Sequence, residues 1–104
     1  MYDLPLTGAQ KSFLRSLGQR LSPSLKAGKG GLSPSFFAEL QNLLRAQELV
    51  KLRFTGETGR EERAGLCHRI ADEGRCLCVG AAGHTALFYR QHPEPARRRV
   101  ALPE

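Results

Sequence analysis

Four consecutive residues carry the clearest chemical signal in the sequence: Gly28, Lys29, Gly30 and Gly31. Because glycine has no Cβ, the backbone of such a loop can come close to an anion, and Lys29 adds a positive charge. The Ser33-Pro34 pair that follows is typical of a helix start, where unpaired N–H groups carry partial positive charge. A G-x-x-G loop clamps the nucleic-acid backbone in KH domains. The spacing matches neither the nucleotide P-loop nor the dinucleotide-binding fingerprint, and a plain turn can have the same composition.

Basic residues are concentrated around this loop. The protein has 16 lysines and arginines against 10 acidic residues, which gives a formal net charge of +6. No acidic residue lies between Asp3 and Glu39, a stretch that holds Lys11, Arg15, Arg20, Lys26 and Lys29. An acid-free basic stretch is typical of a surface that binds a polyanion, most often nucleic acid, although it can also serve solubility alone.

Two further basic clusters lie later in the chain. Lys51 and Arg53 alternate with apolar residues over 49–55, which predicts a half-buried strand with a basic outer face. Arg90 and the run Arg97 to Arg99 lie near the end of the sequence. Each cluster also has a plain interpretation, as a solvated strand face or a flexible tail.

The residues that could support metal or enzyme chemistry are few. Cys67, Cys76 and Cys78 are odd in number and form no C-x-x-C pair, whereas a structural zinc site needs about four placed ligands. Cys67 and His68 are adjacent, so on a helix their side chains point about 100° apart. The sequence offers no paired acid and base, and we expect a protein with no catalytic residues, no metal, no cofactor and no small-molecule substrate.

The size of the chain indicates one domain. Its 104 residues fit the usual domain length, and the 40% hydrophobic content is enough for a core. No apolar stretch approaches the roughly 20 residues of a membrane helix. The first six residues have neither a basic flank nor a signal-peptide core. We therefore expect a cytoplasmic protein with no membrane partner.

Local patterns predict three helices. Thr7 and Gln10 form a capping box, and Phe13, Leu14, Leu17 and Leu21 recur at helical spacing, which predicts a helix over 8–20. Ser33 and Pro34 start a second helix, which runs to about residue 48. A third helix covers 60–73 and is ended by Gly74.

Between and after the helices, apolar patterns predict four strands, at 24–27, 49–55, 76–79 and 85–90. Gly80 and Gly83 bracket a turn that joins the last two strands as a hairpin. The order α-β-α-β-α-β-β is typical of a single layered α/β domain, with a sheet of about four strands covered by helices. We assign the domain to 1–92. Residues 93–104 are polar, basic and proline-containing, which predicts a tail that is poorly ordered alone.

An ordered set of short segments spans residues 6–103. They are Leu6-Thr7, Gln10-Lys11, Leu14-Arg15, Gly28 to Leu32, Ala38 to Leu40, Glu48 to Arg53, Gly83 to Arg90, and Val100 to Pro103. The set resembles the CRM domain, the chloroplast RNA splicing and ribosome maturation domain, and most closely its stand-alone bacterial members, called YhbY. Two places depart from the family pattern: Gly80 to Ala82 replace larger apolar residues, and Gly65 lies inside the third helix, which it weakens by about 1 kcal/mol relative to alanine.

The resemblance implies an RNA-binding domain with a G-x-x-G loop and a fold similar to the C-terminal domain of the third bacterial translation initiation factor. Bacterial stand-alone members are associated with precursors of the large ribosomal subunit, and plant relatives act in group II intron splicing. A single domain favours the bacterial role. The resemblance thus implies a monomeric assembly factor whose partner is ribosomal RNA.

We predict that RNA binding involves the loop and the basic surface around it. Gly28, Gly30 and Gly31 shape the loop and Lys29 contacts a phosphate. The other contributors are Lys26, Lys51, Arg53, Arg90, Lys11 and Arg15. The alternatives are a protein-interaction module that uses the mixed charges of the third helix, or an RNA-binding factor in translation or intron splicing. DNA binding is less favoured, because no pair of helices joined by a short turn is evident.

Overall fold

A computed structural model describes residues 2–28 and 31–104. The helices are α1 (Gly8–Gln19), α2 (Pro34–Gln47) and α3 (Arg60–Gly74), and the strands are β1 (Leu25–Ala27), β2 (Leu49–Phe54), β3 (Leu77–Ala82) and β4 (Thr85–Tyr89). A short 3₁₀ turn, Pro95–Arg97, follows. The predicted order of elements and the α/β class are confirmed.

The predicted starts of α1 and α2 are both present, and each is capped by the predicted side chain. The Thr7 hydroxyl accepts a hydrogen bond from the N–H of Gln10 at 3.1 Å, and the Gln10 side chain accepts one from the N–H of Thr7 at 3.0 Å. The Ser33 hydroxyl accepts from the N–H of Phe36 at 3.1 Å. These bonds satisfy N–H groups that have no partner within the helix, and so fix where α1 and α2 begin.

The four strands form one mixed sheet in the order β1-β2-β4-β3. β1 is parallel to β2, and the other two pairings are antiparallel. β3 extends to Ala82, so the prediction that this strand ends at Val79 is wrong. The prediction took Gly80 as the start of the turn, whereas Gly80 lies within β3, where a register shift between Cys78 and Gly80 adds a residue to the strand.

Helices cover both faces of the sheet. α2 and α3 pack on one face, over a core that includes Leu40, Val50, Phe54, Ile70 and Phe88. α1 packs on the other face, over a core that includes Leu14, Leu49, Val79, Leu87 and Tyr89. Leu21 lies beyond the end of α1 and is 37% exposed, so its predicted place in the apolar stripe is wrong.

The end of α3 differs from the prediction that Gly74 terminates it. The left-handed residue is Arg75, with φ 54°, and Gly74 is the last helical residue. A Cβ on Gly74 would lie 2.7 Å from Cδ2 of Leu40, so this glycine allows α3 to pack closely against α2. Its absence of a side chain serves packing rather than a turn.

The C-terminal segment lies against the α1 face of the domain. Val100 and Leu102 pack against the core there, and Nε2 of Gln10 donates a hydrogen bond to the carbonyl of Pro103 at 2.8 Å. The sequence did not predict this placement. That the segment is poorly ordered alone stays a prediction about its behaviour in solution.

Candidate nucleic-acid interface

One end of the sheet gathers the G-x-x-G loop and the starts of two helices. Because β1 and β2 are parallel, both end on the same side, and α2 and α3 begin there. Thr85, the first residue of β4, pairs with Arg53 of β2 at this end. We call this side, at Ala27, Phe54 and Thr85, the loop end. Helix starts present partial positive charge, so the loop end is electrostatically suited to an anion.

The described residues of the loop are its two outer glycines. Gly31 has φ +94°, a conformation that side-chain-bearing residues rarely adopt, and its N–H donates to the carbonyl of Gly28 at 3.2 Å. A Cβ on Gly28 would lie 3.0 Å from the Thr55 hydroxyl oxygen. Both positions therefore favour glycine for structural reasons. The predicted phosphate contact Lys29 and the predicted loop residue Gly30 lie outside the described residues.

Lys26 and Arg53 lie side by side at the loop end. They are direct partners in the pairing of β1 with β2, and both are exposed. The ion pairs found among the described residues involve neither side chain. Two like charges on neighbouring strands repel each other. An anion bound between them would remove that repulsion, so the structure brings together these two predicted site residues in a way that suits a phosphate.

The loop end also contains residues that the sequence analysis did not assign to the site. His84 lines a cleft of about 510 Å³ with Lys26 and Arg53, and its carbonyl accepts from the N–H of Phe54 at 2.7 Å. Nη1 of Arg63, from the first turns of α3, lies 3.5 Å from Nε2 of His84. The order and direction of the strands could have indicated these residues, because turns and helix starts that follow parallel strands meet at one edge of the sheet.

Lys51 and Arg15 lie on the α1 face, where they bind backbone carbonyls. Nζ of Lys51 donates to Gly18 at 3.1 Å and to Leu21 at 3.3 Å. Nη1 of Arg15 donates to Val79 at 3.1 Å. The two side chains line one groove of about 220 Å³ between α1 and the sheet. Both positive charges therefore lie on the α1 face, and each side chain also joins α1 to the sheet through its hydrogen bonds.

Arg90 and Lys11 are separated from the loop end. Arg90 follows β4 at the opposite end of the sheet, and its Nη1 donates to the Gln41 side chain at 2.7 Å and to the carbonyl of Gly74 at 3.3 Å. It thereby satisfies a carbonyl at the end of α3. Lys11 is exposed in the first turn of α1. The predicted basic residues thus occupy more than one surface.

The cysteines and histidines differ in how far they are buried. Cys67 is buried and His68 is exposed, so the two side chains face different surroundings. Cys76 is buried and Cys78 exposed. Over 2–28 and 31–104, no three histidine, cysteine or acidic side chains converge in a way that could hold a metal ion. In the same ranges, no helix is long and apolar enough to cross a membrane.

Comparison with known proteins assigns the chain to a family. The pattern that defines the CRS1 / YhbY (CRM) domain matches residues 6–90. The chain belongs to the CRM family. This match includes all three helices, all four strands and the G-x-x-G loop, so the CRM domain accounts for both the sheet and the loop end.

Three bacterial proteins resemble the chain over most of its length. "Probable RNA-binding protein YqeI" of Bacillus subtilis is 30% identical over 98 residues, which cover 94% of this chain and 99% of that protein. A probable RNA-binding protein of Pseudomonas aeruginosa is 33% identical over 92 residues, covering 88% of each chain. An RNA-binding protein of Haemophilus influenzae is 33% identical over 98 residues, covering 94% of this chain and 95% of its own.

A solved structure shares the CRM fold seen here. The solution structure of a hypothetical protein from Staphylococcus aureus, named as a candidate RNA-binding protein, superposes with a TM-score of 0.78 at 27% identity. The match covers 95% of this chain and 100% of that one. The four-stranded sheet with three helices is therefore a shared fold.

Proposed function

We propose that the protein binds RNA at the loop end, through phosphates and without catalysing a reaction. The observation that carries this proposal is the exposed pair Lys26 and Arg53, which lies beside Gly28 and has no ion-pair partner among the described residues. Lysine and arginine neutralise phosphates, and glycine lets the RNA backbone come close. The three bacterial relatives are named as RNA-binding proteins, which supports the same activity here.

The RNA is ribosomal RNA in precursors of the large ribosomal subunit, where this protein acts as a monomeric, cytoplasmic assembly factor. Support comes from the resemblance to the stand-alone bacterial members of the family. The match to the Bacillus subtilis relative covers 99% of that protein, so nearly all of that relative corresponds to this chain. Arg15 and Lys51 extend the positive charge from the loop end across the α1 face, and Lys29 contacts a phosphate.

Fluorescence anisotropy with a labelled single-stranded RNA tests the phosphate contacts. The variant Lys26→Gln/Arg53→Gln should bind more weakly, and the slope of log affinity against log salt should fall by about 1.4, because each lost contact to a single strand removes about 0.7. The control Arg69→Gln removes one exposed arginine charge from the middle of α3, away from the loop end, and should keep the slope. Lys29→Glu tests the loop directly, and an unchanged affinity in the folded variant argues against its role.

Sucrose-gradient sedimentation of the tagged protein from bacterial lysate tests the ribosomal partner. Migration with large-subunit precursors, released by high salt or by ribonuclease, is expected. A protein that stays at the top at low salt, yet still binds RNA in solution, contradicts the ribosomal proposal and leaves RNA binding intact. It would then act on a free RNA, in translation or in intron splicing.

A further inference from the structure

A second group of arginines lies at the opposite end of the sheet from the loop end. Arg45 of α2 and the run Arg97, Arg98 and Arg99 line one cleft of about 640 Å³, together with His92. All four arginines are exposed. We call this group the arginine cleft. β2 spans six residues at about 3.3 Å each, which places the cleft roughly 20 Å from the loop end.

The buried carboxylate of Glu48 shapes the arginine cleft. Glu48 is 0% exposed and ends α2 with φ 65°. Its carboxylate accepts hydrogen bonds from the backbone N–H groups of His92 at 2.6 Å, Arg99 at 2.5 Å and Val100 at 2.8 Å. These contacts lie on both sides of the arginine run and hold its backbone in place. The acid binds backbone donors, so it leaves the arginine side chains available.

The guanidinium groups of the cleft are only partly engaged. Nε of Arg98 donates to the carbonyl of His92 at 2.9 Å, and Nη1 of Arg45 donates to the Asn42 side chain at 3.1 Å. Arg97 pairs with Glu94 at 3.0 Å, with both side chains more than 60% exposed. Each guanidinium has five N–H donors in a planar fork that fits phosphate. Most of these donors therefore remain available.

The arginine charges of the cleft contribute little to the stability of the fold, and they are positioned to bind an anion. Four arginines meet with one exposed acid, and exposed ion pairs such as Arg97–Glu94 contribute at most about 1 kcal/mol. A flexible arginine run would lose backbone freedom on binding, whereas this one is already held by Glu48. Such preorganisation is typical of a binding site and is unnecessary for solubility.

We propose that the arginine cleft is a second site for the RNA backbone, which binds phosphates of the same strand that lies at the loop end. This inference rests on the proposed function and adds to it a two-site geometry along the sheet. A short RNA fills the loop end alone, and a longer one reaches both sites. An acidic protein segment is the competing occupant, and the experiment separates the two.

The test compares two RNA lengths and three variants by anisotropy. A KH-type loop holds about four nucleotides, so an oligouridylate of about 4 nucleotides occupies one site, and one of about 16 nucleotides spans both. Arg97→Gln/Arg99→Gln should weaken binding of the longer RNA about tenfold at low salt and lower its salt slope by about 1.4. Its affinity for the shorter RNA should be unchanged. Arg69→Gln, which removes an exposed charge from α3, is the control.

The outcomes distinguish this inference from the proposed function. If Arg97→Gln/Arg99→Gln behaves like the control with the longer RNA while Lys26→Gln/Arg53→Gln weakens both RNAs, the second site is wrong and RNA binding at the loop end stands. If Lys26→Gln/Arg53→Gln changes neither, the proposed function fails. A polyglutamate peptide that binds the cleft better than RNA overturns the inference in favour of a protein partner. Backbone amide shifts of residues 97–100, induced by the longer RNA alone, support it.

Discussion

The ammonium group of Lys51 donates a hydrogen bond to the carbonyl oxygen of Gly18 at 3.1 Å. This contact joins the centre of β2 to the last turn of α1, where the helix dipole gives the carbonyls partial negative charge. The Lys51 charge therefore stabilises the end of a helix. Its neighbour Arg53, two residues along the same strand, is exposed, and its side chain has no hydrogen-bond partner among the described residues.

This difference predicts that a variant of Lys51 loses stability, whereas a variant of Arg53 loses RNA affinity. Lys51→Ala should lower the free energy of unfolding by about 1–2 kcal/mol, because it removes a charged donor from part-buried carbonyls. Arg53→Gln should change stability by less than about 0.5 kcal/mol but weaken RNA binding. Urea unfolding and anisotropy measure the two effects. Equal stability losses would show that the Lys51 contact has no special role.

Replacing Glu48 should destabilise the protein more than Lys51→Ala does, and it should also affect the C-terminal segment. Glu48→Ala leaves three backbone N–H groups without their acceptor, and each can cost about 1–3 kcal/mol when buried. We expect a loss of at least about 3 kcal/mol and fast hydrogen exchange at the amides of Arg99 and Val100. Glu39→Ala, an exposed acid on the same helix, is the control and should change neither. If these amides still exchange slowly in Glu48→Ala, the apolar contacts of Val100 are enough to hold the C-terminal segment in place.

The parts of the fold that the sequence predicts are those with local causes. The starts of α1 and α2 depend on Thr7 with Gln10 and on Ser33 with Pro34, and in each case the interacting groups lie within three residues. The alternation around Lys51 likewise shows which side chains of β2 are buried. Local patterns of this kind can be read because the groups that meet in space are neighbours in the chain.

The parts that the sequence did not predict depend on long-range contacts. Glu48 meets Val100 across 52 residues and Arg90 meets Gln41 across 49, and no local pattern indicates either pair. The same limit applies to the site. The basic residues near the G-x-x-G loop were identified, but only the strand order shows that Lys26 adjoins Arg53 while Arg90 lies at the other end.

The left-handed conformation of Gly31 predicts a local cost for any side chain. Its φ is +94°, and nothing lies within 4 Å of an added Cβ, so the cost arises from the backbone alone. Gly31→Ala should lower the free energy of unfolding by about 1–2 kcal/mol or shift the loop conformation, and in either case weaken RNA binding. Gly8→Ala, which also places its Cβ in open space but at ordinary φ, is the control. Unchanged RNA affinity in Gly31→Ala would argue that the loop shape is unimportant.

Stability should fall at alkaline pH because two buried groups resist ionisation. Burial raises the pKa of the Cys76 thiol from 9.0 to about 12, and burial together with the Glu48 carboxylate raises the pKa of the Tyr89 phenol from 10.0 to about 12. Above the ordinary pKa values of 9.0 for cysteine and 10.0 for tyrosine, the unfolded chain releases protons that the folded protein keeps. The free energy of unfolding is therefore independent of these groups below about pH 9 and falls between about pH 9 and pH 12.

Urea unfolding at a series of alkaline pH values checks this dependence. Tyr89→Phe removes one titrating group and a buried hydroxyl that has no partner among the described residues, so it should flatten the decline above about pH 10. At neutral pH it should be at least as stable as the parent protein, because an unsatisfied buried hydroxyl is unfavourable. An equally steep decline in Tyr89→Phe would assign the effect to the cysteines.

Two glycines of α3 predict opposite results for the same substitution. Gly65 has open space around an added Cβ and an ordinary φ, so Gly65→Ala should raise the free energy of unfolding by about 0.5–1 kcal/mol through helix propensity. Gly74→Ala should lower it, because the new Cβ would lie 2.7 Å from the Leu40 side chain. Thermal unfolding measures both. Gly65 lies outside both proposed RNA sites, so Gly65→Ala should keep full RNA affinity, and a loss of affinity there would place RNA on α3.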